Sequence, residues 1–212
     1  MREIEVKLQL KHPHKWKNAL CYIETNYQVM NKKNWHLQAI YFDTIDFALK
    51  DRAKAIYRHR IENGKWVATI KTGNHREGNI STREEHNFNI LPQAEPVACL
   101  PEGDLKSRLL IALRGQKVFP LIKTNVRRYA VKVSFKETEI EVAFDKGYVS
   151  VGSEKDYFME IEFELLSGKE EELIEFVEDF SENNEVQAST FSKYTRGLRL
   201  LRLGKDQRQN GV

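Results

Sequence analysis

Charged and apolar residues alternate with a period of two in five or six separate segments of this chain, and that alternation constrains the fold more than any other feature. In EIEVKLQL, Glu3–Leu10, the residues Glu3, Glu5 and Lys7 fall on one face of a strand, and Ile4, Val6 and Leu8 fall on the other. In TEIEVAFDK, Glu139, Glu141 and Asp145 oppose Ile140, Val142 and Phe144. In FMEIEFELL, Glu160, Glu162 and Glu164 oppose Met159, Ile161 and Phe163. Basic and mixed rows stand between them: Arg58, Arg60 and Glu62 in YRHRIE, Val67, Thr69 and Lys71 in WVATIK, and Arg83, Glu85 and Asn87 in STREEHN. One such segment alone reads as a half-buried strand with a solvated outer face.

The remaining periodicity fills in the elements. Strands are predicted over 3–11, 36–44, 55–61, 65–71, 80–90, 124–134, 138–146 and 157–166, with Asn63-Gly64 turning a hairpin between the third and fourth. Helices are predicted over 14–27, 105–113 and 168–183, the last with Leu173, Phe176, Val177 and Phe180 on one face. Pro92, Pro96 and Pro101 open a helical excursion that Pro120 closes, and 192–203 reads as a helix or an extended segment. Seven or eight antiparallel strands with few helices suggest an α+β chain built on a barrel or a strongly curved sheet with covering helices. Residues 1–204 are expected to form a single domain, with 205–212 as a flexible tail.

Charge decides which way the polar rows face. The 212 residues hold 34 Lys and Arg against 31 Asp and Glu, a net charge of only +3. Both signs are therefore packed together, which argues against a purely basic nucleic-acid surface. If the polar rows face inward, the apolar rows face outward under the helices. A charged interior is costly unless its charges pair or meet a ligand carrying both signs. Paired carboxylates suit Mg²⁺ or Mn²⁺, and Arg and Lys suit phosphate oxygens. Together they would form a clamp for phosphoryl transfer, and a linear polyphosphate reaching along a tube would touch both sets.

Several motifs then carry a resemblance. Glu3-Ile4-Glu5-Val6-Lys7 is similar to the E-x-E-x-K hallmark of the CYTH superfamily, the triphosphate tunnel metalloenzymes. YFDT (41–44), YRHRIENGKWVATIK (57–71), TREEHN, TEIEVAFDKG, MEIEFELLSG and FSKYTRG resemble further family motifs in the same order, over nearly the whole chain. The last three look most like those of bacterial inorganic triphosphatases. The resemblance implies an eight-stranded antiparallel tunnel holding triphosphate at its centre. It implies Lys7, Arg58, Arg60, Lys71, Arg83, Arg128, Lys193 and Arg196 as phosphate contacts, and Glu3, Glu5, Glu160 and Glu162 as metal ligands, with Asp145 and Glu141 close by. Glu3, Glu5 and Lys7 would carry the chemistry, one ion sitting at Glu160 and Glu162 and a second near Glu3 and Glu5. The chain departs from the family at Tyr57 and His59, where apolar residues are usual. Arg127 and Arg128 are adjacent, so only one can face inward, and Arg128 fits the spacing to Glu141 better.

The expected activity is metal-dependent hydrolysis of inorganic triphosphate to phosphate and pyrophosphate. The alternatives are a thiamine triphosphatase, a class IV adenylyl cyclase and a non-catalytic polyphosphate or nucleotide sensor. No nucleic-acid or membrane partner is predicted, and the sequence leaves the oligomeric state open. Glu164 reads as a rim or salt-bridge residue, Glu85 and Glu141 as possible orienters of Arg side chains, and Asp43 as a turn or strand-end residue. Trp16, Trp35 and Trp66 read as core or helix-packing aromatics, and the six scattered histidines do not suggest a metal site. Cys21 and Cys99 read as two buried, reduced thiols. No signal-peptide pattern opens the chain and no apolar run nears the ~20 residues needed to span a bilayer, so a cytoplasmic location is expected.

Overall fold

The alternation produces a closed barrel. In the computed structural model, which describes residues 2–189 and 191–209 apart from the side chains of Asn74 and 204–209, the chain forms β1 (Arg2–Leu10), a 3₁₀ turn (Pro13–Lys15), α1 (Trp16–Asn26), β2 (Gln28–Asp43), α2 (Ala48–Asp51), β3 (Ala55–Glu62), β4 (Lys65–Glu77) and β5 (Ile80–Ile90). It continues through α3 (Asp104–Leu113), β6 (Phe119–Phe135), β7 (Thr138–Val151), β8 (Glu154–Ser167), α4 (Glu170–Asn183), β9 (Val186–Ala188) and α5 (Lys193–Gln209). The sheet order is β5-β4-β3-β2-β6-β7-β8-β1, and β1 pairs back to β5 to close eight antiparallel strands into a ring. The ladder of β1 to β8 ends at Leu8, and on its other edge, past β5, residues Leu8–Leu10 pair with β9.

The apolar rows do face outward. Ile4, Val6 and Leu8 of β1 join Val131 and Val133 of β6, Ile140, Val142 and Phe144 of β7, and Ile161 and Phe163 of β8 in one buried cluster beneath α1 and α4. Leu173, Phe176, Val177 and Phe180 follow i, i+3, i+4, i+7 spacing and bury the inner face of α4, each worth roughly 1.5–3 kcal/mol. Glu170, Glu171 and Glu172 favour its positive N-terminal end. A second cluster lies under α2 and α3, where Leu49, Leu109 and Leu113 cover Ala55, Tyr57, Ala68 and Ile70 of β3 and β4. Among the described residues, no helix is long and apolar enough to cross a membrane.

The third cluster lies inside the ring. Ala39, Tyr41, Ile122, Val126, Val149 and Phe158 sit on the bore-facing rows, and Tyr194 of α5 packs on them. Here α5 closes one end of the barrel. A Cβ on Gly197 would stand 2.4 Å from Ile122 Cγ2. Gly197→Val is therefore expected to cost about 1–3 kcal/mol, seen as a fall in Tm of roughly 2–12 °C. An unchanged thermal melt would contradict this seating of α5.

Several elements differ from the sequence reading. β2 begins at Gln28, not 36, because its first half pairs only with β6 and stays exposed, leaving no burial pattern to read. Pro120 lies within β6, beside a register irregularity that spares its missing N–H. The 192–203 segment is helical and continues to Gln209, so it occupies part of the predicted tail; 210–212 lie outside the described residues. Cys21 is exposed and Cys99 half-buried, not both buried. On α1 the buried residues are Ala19 and Ile23, and Cys21, midway between them, points away.

His59 and Tyr57 face the outer cluster of β3. Tyr57 hydroxyl accepts the Val97 backbone N–H at 3.2 Å and lies 2.5 Å from His59 Nε2. Burial lowers the His59 pKa from 6.5 to about 4, so the ring is neutral in the fold. The unfolded chain takes up this proton first. The contribution of His59 is thus complete above pH 6.5 and is lost as pH falls toward 4. His59→Gln should flatten that acid limb in melts taken between those pH values; an unaltered slope would assign the limb to other groups.

Candidate active site

The rows opposite the outer core converge in the bore. Glu3 and Glu5 of β1, Glu85 of β5, Asp145 of β7, and Glu160 and Glu162 of β8 are all buried. Such burial is tolerable only with countercharge, and the basic rows supply it. Lys71 of β4 bonds Glu3 at 2.7 and 2.8 Å and Glu85 at 2.7 Å. Lys7 lies 3.1 Å from Glu5 and also bonds Glu162. Arg128 of β6 forks onto Asp145, Nε to Oδ1 at 2.7 Å and Nη2 to Oδ2 at 2.8 Å, and reaches Glu162. Lys193, the first residue of α5, lies 2.7 Å from Asp145 and 2.9 Å from Glu162 and bonds Glu160. Asp145 and Arg128 meet because they are ladder partners. Two residues along, Gly147 lets the two strands come together: a Cβ there would stand 2.2 Å from the Asn125 carbonyl oxygen.

Asp145, Glu160 and Glu162 present carboxylate oxygens all within 4.8 Å of one another, a spacing that suits a divalent ion. Their surroundings push their pKa values apart. Burial raises Glu162, but Lys193, Lys7 and Arg128 outweigh it and hold it well below the usual range. Asp145 is also held low, its burial outweighed by Lys193 and Arg128, whereas burial dominates at Glu160 and raises it. Burial lowers Lys7, and Glu162 and Glu5 more than reverse that, so its ammonium stays charged. Burial raises Glu85, and Lys71 and Arg58 overcome it to bring it to about 2. Glu164 has no such cation; burial and the charges of Glu3, Glu141, Glu162 and Glu5 raise it to about 7.

Pairing within the protein is nonetheless incomplete. Glu5 Oε1, Glu160 Oε2, and the Nε atoms of Arg58 and Arg60 are buried with no hydrogen-bond partner among the described residues. Arg58 makes only a long 3.4 Å bond to the Tyr41 hydroxyl, and Arg60 lies 3.1 Å from Glu62. Two carboxylate oxygens and two guanidinium nitrogens left without partners in one bore fit a ligand that brings both a cation and anionic oxygens.

The residues singled out from the sequence divide as follows. Glu5, Lys7, Arg128, Asp145, Glu160, Glu162 and Lys193 form one connected set of ion pairs, Glu3 and Lys71 form a separate one with Glu85, and Arg58 and Arg60 lie on the neighbouring bore-facing row. Arg83 stands opposite Glu3 in the β1–β5 ladder. Arg196 lies apart at the closed end, 3.1 Å from Asp156 and over the Phe158 ring. Glu3 and Glu5 are each engaged by a lysine and stand apart from the trio. Arg128 faces the bore and Arg127 is exposed. Asp43 accepts the backbone N–H groups of Thr44, Leu49 and Lys50, which fixes the start of α2.

Trp35 differs from its expected core role: it is the ladder partner of Arg128 on the same face, with Lys33 Nζ 5.6 Å from its ring centre. The first half of β2, which contains it, was not predicted, so no face could be assigned to it. Asp156 and Phe158 were also missed. Their place on the bore-facing row of FMEIEFELL, extended backward two and four residues from Glu160, was the available signal.

Comparison with known proteins agrees with this geometry. The CYTH domain pattern matches residues 1–198. The chain belongs to the CYTH domain family. Within it, the chain is 28% identical over 200 residues to the inorganic triphosphatase of Haemophilus influenzae; the match covers 94% of this chain and 55% of that protein. The chain thus spans about half the length of that curated relative. Among solved structures, the Hippeastrum protein HpAC1, an adenylyl cyclase candidate described as revealing a dominant triphosphatase activity, superposes with TM-score 0.65 at 22% identity, covering 95% of this chain and 96% of that one. An adenylate cyclase candidate from Bacillus halodurans gives 0.51 at 21%, covering 92% and 97%. These likenesses establish the CYTH tunnel fold.

Proposed function

We propose that this CYTH protein hydrolyses inorganic triphosphate to phosphate and pyrophosphate with Mg²⁺ or Mn²⁺. The observation that carries the reading is the set of buried, unpartnered atoms of both signs in one bore: Glu5 Oε1, Glu160 Oε2, Arg58 Nε and Arg60 Nε. The Haemophilus relative's name points the same way.

Asp145, Glu160 and Glu162 would hold the cation, with Glu5 and Glu3 along the same wall. The bound ion would polarise phosphate oxygens and lower the pKa of a water molecule. Arg58, Arg60, Lys71 and Arg83 spread the substrate's negative charge and fix its position along the bore. Water adds to the terminal phosphorus, the bridging P–O bond breaks and pyrophosphate leaves, while the water's proton passes to solvent. Lys7 and Arg128, positively charged and partly buried, offset the charge that develops on the phosphate oxygens.

A second reading keeps the chemistry and changes the substrate. Trp35 beside Arg128 offers a stacking surface for an organic group on the triphosphate, as in thiamine triphosphate or ATP. Phosphate release from tripolyphosphate, thiamine triphosphate and ATP, each with Mg²⁺, Mn²⁺ or EDTA, separates the two. Tripolyphosphate turned over fastest, with EDTA abolishing release, supports the proposal; a preference for either organic substrate selects the second reading. No release from any substrate with either metal favours a sensor.

A further inference from the structure

Near the closed end, the outer wall of the barrel carries a groove of about 780 Å³. Arg127 of β6 and Lys146 of β7 lie along it, exposed and directly opposite each other in the ladder. Like charges so placed are destabilising. Among the described residues, neither has an ion pair or hydrogen bond, and no carboxylate lines the groove although the chain has 31 acidic residues.

The groove also reaches inward. β1 pairs with β8 only as far as Leu8 opposite Ile161, its next residues pairing with β9 on the other edge, so Gln9 and Leu10 lie outside the ladder to β8 and face the stretch of β8 that holds Phe158 and Met159. All four residues line the groove, which therefore meets the barrel wall at this gap. At its inner end is Arg196, only 13% exposed; Asp156 takes its Nη1, and its Nε is buried without a partner. The Arg196 guanidinium and Lys193 Nζ both lie over the Phe158 ring, at 5.4 and 5.3 Å. Lys193 belongs to the carboxylate cluster of the bore. One aromatic ring thus links the end of the bore to a line of cations leading outside.

We propose that this groove binds the further phosphates of a polyphosphate chain longer than three units whose leading phosphates occupy the bore. The inference rests on the triphosphate reading of the bore. A phosphate chain carries the charge that Arg127 and Lys146 lack nearby, and its oxygens suit the unpartnered Nε of Arg196. The groove adds nothing for tripolyphosphate, which the bore alone accommodates.

The test is calorimetric binding of tripolyphosphate and of longer polyphosphate chains in EDTA, where no turnover occurs. The double variant Arg127→Glu, Lys146→Glu changes two exposed side chains outside the bore. It is expected to weaken binding of the longer chain by about tenfold and to leave tripolyphosphate within about twofold. Equal losses for both ligands would reveal only a general change of charge and overturn the proposal, as would no loss for either. Failure of the longer chain to bind the wild-type protein overturns it as well. Longer-chain binding that is weakened in the variant, with no tripolyphosphate binding even to wild type, would instead remove the reading of the bore while supporting the groove.

Discussion

Glu162→Gln is expected to lower metal-dependent phosphate release by more than about 100-fold, beyond what loss of a group that merely orients a metal ligand causes. Glu162 is the shared partner of Lys7, Arg128 and Lys193, and its oxygens belong to the trio with Asp145 and Glu160. The amide keeps its volume but supplies no charge to an ion and leaves three partly buried cations with one fewer countercharge. The measurement is a turnover assay on tripolyphosphate over a range of Mg²⁺ and Mn²⁺ concentrations, beside a thermal melt. Turnover within about tenfold of wild type at saturating metal, with the fold intact, would remove the trio from the chemistry.

Lys193→Met should act mainly on stability. Asp145 and Glu160 are fully buried, and Lys193 contacts both as well as Glu162. Taking one partner from a buried ion-pair cluster costs about 3–5 kcal/mol, here a fall in Tm of roughly 6–20 °C in EDTA. A divalent ion held by the same carboxylates would replace part of the missing charge, so added Mg²⁺ or Mn²⁺ should raise the variant's Tm more than that of wild type. An undiminished Tm in EDTA would deny the lysine its countercharge role. A large fall that neither metal relieves would deny that the trio binds metal.

The barrel and the inward direction of its charged rows were legible because the period-two pattern repeats on strands buried on both faces. β5 matches its predicted limits at both ends, and the hairpin turns at the Asn63-Gly64 pair. What stayed hidden lacked a two-faced environment. The exposed first half of β2 carries no alternation of burial, so Trp35 could not be assigned to a face. β9 is three residues long, below the length at which a period can be recognised. The carboxylates were readable as a class, but their grouping was not: Asp145 comes from a different strand than Glu160 and Glu162, and only the β7–β8 register brings them together. Likewise the spacing of Lys193 and Arg196 on one helical face was visible, whereas their division between the bore and the outer groove depends on how α5 seats against Ile122 and Phe158.

The position of Lys193 at the start of α5 also bears on biosynthesis. The eight strands of the ring are complete by Ser167, yet the ammonium that neutralises their most buried carboxylates is translated some twenty-five residues later. A ribosome-bound chain would therefore hold an acidic cavity short of one cation until the final helix emerges and docks. Only then does the bore gain the cation that Lys193 brings to Asp145, Glu160 and Glu162.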